Sequence, residues 1–165
     1  MIHIGEQVNR ILMKLNLDEI NFERSKNAKK IKKEDSFALG EVMYEAYKGT
    51  IDYDGETIDE AAEEVKGTLD GKYGHLIDSA CLTLENSNRI ASAIFFTWFE
   101  DEEMPLLTFS MTRVSEKGKG FAKELIKESL MRLKELKYSK CCLFVTEGNE
   151  PAISIYKSIG FKSCS

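Results

Sequence analysis

Between residues 106 and 146 the apolar pattern changes period twice, and this limits the fold more than any other feature of the chain. Leu106-Leu107-Thr108-Phe109-Ser110-Met111-Thr112-Arg113-Val114 is strand-like. A basic turn with two glycines, Lys117-Gly118-Lys119-Gly120, comes next. Phe121, Ala122, Leu125, Ile126, Leu130, Leu133 and Leu136 then recur at helical spacing and mark one face of a long helix. Lys140 leads into Cys141-Cys142-Leu143-Phe144-Val145-Thr146, a short apolar run suited to a buried strand. A strand, helix, strand series of this length implies a parallel pairing with a right-handed crossover.

The flanking segments set the rest of the sheet. Residues 76–85 and 90–99 are two further strand-like runs, with Asn86, Ser87 and Asn88 between them as hairpin chemistry. An acidic turn, Glu100 to Glu103, leads into the 106–114 run, so three consecutive antiparallel strands are expected. Helices are expected over 35–48 and over 58–69, the latter with Thr57 as N-cap and Glu60 three residues on. Asn149 and Pro151 start a last helix that Gly160 ends, and a short strand begins at Phe161. Ile4, Val8, Ile11, Leu12 and Leu15 predict an amphipathic helix over 2–16, and a further strand is expected around 19–24. Residues 24–33, with six basic side chains, form either a solvated connector or an anion-binding patch. The expected class is α/β: a mixed, mostly antiparallel sheet with a central parallel pair and helices on both faces.

The chain has 165 residues, 42% of them hydrophobic and 31% charged, which suits one domain with a core of its own. Its net charge of −5 makes non-specific nucleic-acid binding a poor expectation. No run of about 18 apolar residues occurs, and the N-terminus lacks the basic start and apolar stretch of a signal peptide. A cytoplasmic protein with no membrane or nucleic-acid partner is therefore expected. Cys81, Cys141, Cys142 and Cys164 show no Cys-x-x-Cys spacing, and His3 and His75 are the only histidines, so no metal site is expected. Cys141 and Cys142 sit in an apolar run and are expected to fill core space.

The turn at 117–120 is the chemically informative segment. Glycine lets backbone approach a ligand closely, and the first turn of a helix presents unpaired N–H groups at the positive end of its dipole. Together with Lys117, Lys119 and Lys123 this is a site for phosphate or pyrophosphate. It is not a P-loop, since no Gly-x-x-x-x-Gly-Lys-Ser/Thr string occurs. Nor is it a dinucleotide fingerprint, because Lys123 stands where the third glycine would be and the preceding strand is antiparallel to its neighbour.

Lys117-x-x-Gly120-x-Ala122, between a strand and a helix, resembles the Arg/Gln-x-x-Gly-x-Gly/Ala motif of the GNAT superfamily of acetyl-CoA-dependent N-acetyltransferases. Asn149-Glu150-Pro151-Ala152-Ile153-Ser154-Ile155-Tyr156-Lys157-Ser158-Ile159-Gly160-Phe161 resembles the family's second motif. The resemblance covers residues 75–161 by motif and 20–74 by element order. It implies the GNAT-like acyl-CoA N-acyltransferase fold, with a helical extension over 1–18 and the domain over 19–165. It also implies acetyl-CoA as co-substrate, an amine of a small molecule or peptide as acceptor, and no metal. Lys117 departs from the usual Arg or Gln, and Val114 stands where a proline is common. Members usually continue through a hairpin to one more strand, so that edge is expected to be missing, or filled by the N-terminal helix or a partner subunit. A homodimer is left open.

The resemblance also implies roles. Backbone amides of Gly118, Lys119, Gly120, Phe121, Ala122 and Lys123 would hold the pyrophosphate of coenzyme A, beside Lys117. Met111 and Thr112 would pair with the pantetheine arm, and one of their amides would polarise the thioester carbonyl. Asn149 would bond the same arm. The 106–114 strand and the one after it would splay into a V-shaped cleft. Tyr156 would be the general acid for the leaving thiolate, since a phenol keeps its proton at neutral pH. Glu41, Glu45, Glu85 and Glu100 are candidates for the base, as is a water chain. Tyr44 to Tyr53, with Glu45 and Asp52, is the expected wall of the acceptor site, where tyrosine rings and carboxylates suit a cationic amine. A non-catalytic acyl-CoA-binding or sensing module of the same fold is the alternative, and a structural partner protein a third reading.

Overall fold

The structure, a computed structural model, describes residues 9–164. Seven strands form one sheet in the order β2-β3-β4-β5-β6-β1-β7. They are β1 (Arg10–Asn16), β2 (Lys29–Lys30), β3 (Leu82–Asn86), β4 (Arg89–Phe99), β5 (Met104–Thr112), β6 (Lys140–Thr146) and β7 (Lys162–Ser163). The helices are α1 (Ser36–Tyr47), α2 (Ile58–Leu69), α3 (Phe121–Glu135) and α4 (Glu150–Ile159). Ser87 and Asn88 both take positive φ and close the β3–β4 hairpin as a two-residue turn. All neighbouring strands pair antiparallel except β5 and β6, whose parallel ladder is the central pair the sequence predicts.

Alternation along the strands divides the core in two. Ile94, Phe96, Leu107 and Leu143 pack with Leu125, Ile126 and Leu130 of α3 and with Ile153 and Ile159 of α4. Ala93, Phe95 and Met111 point to the other face and pack with Leu39, Val42 and Met43 of α1 and with Val65 of α2. Helices thus cover both faces. Cys81, Cys141 and Cys142 are buried, and desolvation raises all three thiols, to about 12 for Cys81 and about 11 for Cys142. Cys141 and Cys142 fill core space, as their apolar run predicts, and Cys81 does the same.

Two expectations are corrected. Residues 10–16 are not helical: Arg10–Asn16 is strand β1, which pairs with both β6 and β7 and so lies inside the sheet. Ile11, Met13 and Leu15 face the α3–α4 core at a period of two, and tertiary pairing decides between that period and the helical one. The expected helix over residues 2–8 lies outside the described residues. The place beside β6 is thus filled from the N-terminal side, by a strand. There is no strand over 19–24. Leu17–Glu19 is a single 3₁₀ turn, and Arg24 and Ser25 are drawn to α3 instead. The basic segment 24–33 is a connector whose cations meet carboxylates: Arg24 with Glu128 and Glu135, Lys29 with Glu85, Lys30 with Asp78 and Lys33 with Asp70.

Glu128 is the anchor of that connector. Its carboxylate is 2% exposed and takes two bonds from the Arg24 guanidinium at 2.9 and 3.0 Å. Arg132 Nε and the Ser25 amide, each at 2.9 Å, complete the set. The Arg24 bonds chiefly, then Arg132 and the Ser25 amide, hold the Glu128 carboxyl at about 2 against an ordinary 4.5. A folded-state value below the unfolded one stabilises the fold above the unfolded value, and that stability is lost as pH falls through the folded value. Acid unfolding should therefore be steeper between pH 4.5 and 2 for the native chain than for Glu128→Gln. At neutral pH that variant should lose about 2 kcal/mol, read from the midpoint of urea unfolding. A second weak point is the α1–α2 crossing, where a Cβ added at Gly40 would lie 2.6 Å from Ala62 Cα. Gly40→Ala should cost about 1–3 kcal/mol by overpacking, seen as a lower melting temperature.

Candidate active site

The parallel ladder between β5 and β6 lasts two residue pairs, Leu106 with Cys142 and Leu107 with Leu143. Immediately beyond it the β4–β5 register slips, with Phe95 opposite Phe109 and Phe96 opposite Leu107, so Thr108 is the extra residue of a β-bulge. A bulge bends its strand and strengthens its twist. Here it carries Phe109 to Thr112 away from β6. The gap is a cleft of about 260 Å³. Phe109 and Ser110 line one side, Phe144 and Thr146 the other, with Tyr156 and Asn149 from α4 and Tyr47 and Asp52 from α1 and its following loop.

The ladder of β5 fixes which amides face this gap. The Arg113 N–H donates to the Ala91 carbonyl at 2.9 Å. Antiparallel alternation then turns the Met111 and Phe109 amides toward β4, and those of Thr112 and Ser110 toward the cleft. Met111 is 1% exposed, packs with the α1–α2 core, and its carbonyl accepts from Ser92 Oγ at 2.9 Å. The site expectation at Met111 is therefore shifted by one residue: Ser110 and Thr112 present amides to the cleft. Sequence missed Ser110 because only the bulge at Thr108 sets the phase.

At the end of β5 the turn runs into α3. A 3₁₀ turn over Val114–Glu116 precedes Lys117, and Gly120 is the N-cap of α3 in the left-handed region, φ +82°, as is Gly118. No side chain caps the helix, and the first intrahelical bond here runs from the Glu124 N–H to the Gly120 carbonyl at 3.0 Å. Among the described residues the amides of Gly118, Lys119, Gly120, Phe121, Ala122 and Lys123 find no acceptor. Open space lies around both glycines. Six donors in a row at a positive dipole end fit a diphosphate. Lys123 adds charge on the first turn, while Lys119 Nζ bonds Glu116 at 2.8 Å. Lys117 Nζ reaches the Ala46 carbonyl at 3.3 Å and ties the loop to the end of α1.

Asn149 is the N-cap of α4, where its Oδ1 accepts the Ala152 N–H at 3.4 Å, leaving Nδ2 for the cleft. Tyr156 stands about two turns further along the same helix. Burial pushes its phenol up to about 12; a bond with Ser110 pulls it down and the Asp52 charge pushes it up. Burial raises the Tyr47 phenol still more strongly, and the neighbouring Tyr156 and Asp52 act in the same direction. Both phenols line the cleft and keep their protons at neutral pH.

None of the glutamates considered for the base lines the cleft. Glu45 and Glu41 flank the buried Arg113 guanidinium at 3.0 and 3.8 Å, and Arg113 Nε also donates to the Ile90 carbonyl. Glu85 pairs with Lys29, and Glu100 accepts from Trp98 Nε1 at 2.8 Å. The carboxylate in the cleft is Asp52, whose Oδ1 accepts the Thr146 hydroxyl at 2.7 Å. Of the tyrosines expected in the acceptor wall, Tyr47 lines the cleft, while Tyr44 and Tyr53 meet edge to face. Tyr73, on the far side, donates to Glu64 and lies edge-on to Phe109. Arg10 of β1 also lines the cleft, and the helical reading of its segment hid it. The alternation Ile11, Met13, Leu15 is the signal that would have placed it.

Comparison with known proteins bears on the fold. The family model described as FR47-like protein matches residues 89–165. A GNAT-family protein from Novosphingobium aromaticivorans DSM 12444 is similar, with a TM-score of 0.69, 15% identity and 96% of this chain covered. This chain spans 61% of that protein, so it is the shorter of the two. PH1933 from Pyrococcus horikoshii OT3 overlays with a TM-score of 0.67 and 25% identity over 83% of this chain and 87% of its own. An N-acetyltransferase from Staphylococcus aureus Mu50 does so with a TM-score of 0.66 and 20% identity, covering 84% of each chain. No curated protein sequence matches the chain. The family model thus matches the C-terminal part of the chain, and the chain shares its fold with these structures. Among the described residues no helix is long and apolar enough to cross a membrane, and no cluster of His, Cys, Asp or Glu is arranged to hold a metal.

Proposed function

We propose that the chain is an N-acetyltransferase that takes the acetyl group of acetyl-CoA and passes it directly to a primary amine. The observation that supports this best is one continuous path: unsatisfied amides at the start of α3, inward-facing amides on β5, and a buried phenol where β5 and β6 part. The amides of Gly118 to Lys123 would hold the diphosphate, with Lys117 and Lys119 fixing the loop. Ser110, Thr112 and Asn149 would hold the pantetheine arm. The bound thioester supplies an activated acetyl carbon, and the amide of Ser110 polarises its carbonyl from a fixed, half-buried position.

The remaining steps belong to the chain's own groups. Asp52, oriented by the Thr146 hydroxyl, takes one proton from the substrate ammonium and releases it to water. The amine nitrogen then bonds to the acetyl carbon as the carbon–sulfur bond breaks. Tyr156 gives its phenolic proton to the departing sulfur, and the second proton shed by the nitrogen restores the phenol. Atoms and charge balance: an ammonium and a thioester become an amide, a thiol and one released proton. No covalent acetyl-enzyme is needed, since Cys81, Cys141 and Cys142 are buried and protonated and none lines the cleft.

Calorimetry with acetyl-CoA, followed by an amine panel read through free-thiol release, tests the reading. Tight binding with no turnover on any amine would favour the acyl-CoA-binding module. Tyr156→Phe should lower kcat about 100-fold while leaving the KM for acetyl-CoA within about threefold. An unchanged kcat removes the acid role. Because burial raises the phenol from 10 to about 12, the rate should show no tyrosine-dependent decline through pH 10. An alkaline limb near neutrality that disappears in Tyr156→Phe would contradict the assignment.

A further inference from the structure

The acceptor half of the cleft carries charges of both signs. Asp52 is held by Thr146, and Thr146 is the register partner of Arg10 on the adjoining strand. Both side chains line the cleft, and the Arg10 charge acts on the Tyr47 phenol across it. Arg24, Arg113 and Arg132 are each paired with carboxylates, whereas among the described residues no carboxylate lies within ion-pair distance of Arg10. Phe109, Phe144 and Tyr73 add apolar and aromatic lining to the same cleft.

This arrangement discriminates among amines. A polycation would gain from Asp52 but meet repulsion from Arg10. A simple alkylamine would leave the Arg10 guanidinium unused. An amine that also bears a carboxylate satisfies both, and a guanidinium recognises a carboxylate through two parallel bonds. The cleft volume of about 260 Å³ lies at the small end for ligand pockets and must also admit the acetyl thioester, which argues against a bulky acceptor. We propose that the acceptor is a small amino-carboxylate, bound with its ammonium at Asp52 and its carboxylate at Arg10. The inference rests on the transferase reading above and narrows it.

The test compares the common amino acids with their carboxamides as acceptors, with acetyl-CoA saturating and thiol release as the readout. For the best acceptor, kcat/KM should be at least about tenfold higher for the acid than for its amide, mostly through KM. Arg10→Ala should bring that ratio to about one without changing the KM for acetyl-CoA, and Arg10→Lys should keep part of it. The acid–amide comparison needs no variant, so it decides the matter even if Arg10→Ala fails to fold. Equal rates for acid and amide, or acetylation of other amines with none of the amino acids used, overturns this inference and leaves the transferase standing. No binding of acetyl-CoA in calorimetry overturns both.

Discussion

The site depends on the parting of two strands. Parallel neighbours tend to stay hydrogen-bonded along their shared length, and here the pairing stops after Leu107 and Leu143. The cause is the extra residue at Thr108, which puts a bend into β5 where the ladder ends. Without it, the amides of Ser110 and Thr112 would be bonded to β6 and the gap would close. The same bend sets which side chains face the sheet's two sides, so it places Met111 in the core and Ser110 beside Tyr156. A single inserted residue thus creates both the opening and its donors.

Such an opening weakens a sheet unless its edges are held, and the surrounding elements hold them. Arg113, 3% exposed, links the end of β5 to α1 through Glu45 and Glu41 and to β4 through the Ile90 carbonyl. Lys117 ties the loop before α3 to the C-terminal end of α1, where a cation also suits the helix dipole. Across the gap, Asp52 connects the loop after α1 to β6 through Thr146. The two arms are bridged by α1 and the loop that follows it.

Much of this can be read from the sequence where local chemistry is decisive. The capping box of Thr57 and Glu60 starts α2 where expected, and Asn149 and Gly160 bound α4. The glycine turn before α3 is likewise visible, because positive φ and an uncapped helix start leave few other readings. The sequence misleads where two periods fit one string. Ile11, Leu12 and Leu15 suit a helix, while Ile11, Met13 and Leu15 suit a strand, and only the presence of β6 and β7 as partners decides. The distance of the four glutamates from the cleft was hidden for a similar reason. Glu41, Glu45, Glu85 and Glu100 are not distinguishable from Asp52 by residue type, and which carboxylate is tied up by Arg113, Lys29 or Trp98 is settled by contacts distant in sequence. The bulge at Thr108 leaves no mark in composition at all.

The pairing of β1 with both β6 and β7 has a kinetic corollary. Arg10 finds its register against Thr146, and Lys14 against Lys162, so β1 is laced to strands far along the sequence. Contacts this remote in sequence pay the full entropy of closing the intervening loop before they return any stability. During synthesis β1 must wait, unpaired, until β6 and β7 have left the ribosome. Arg10 therefore reaches the cleft only when β6 and β7 are in place, and before that the glycine turn ahead of α3 can form without the guanidinium that lines the cleft.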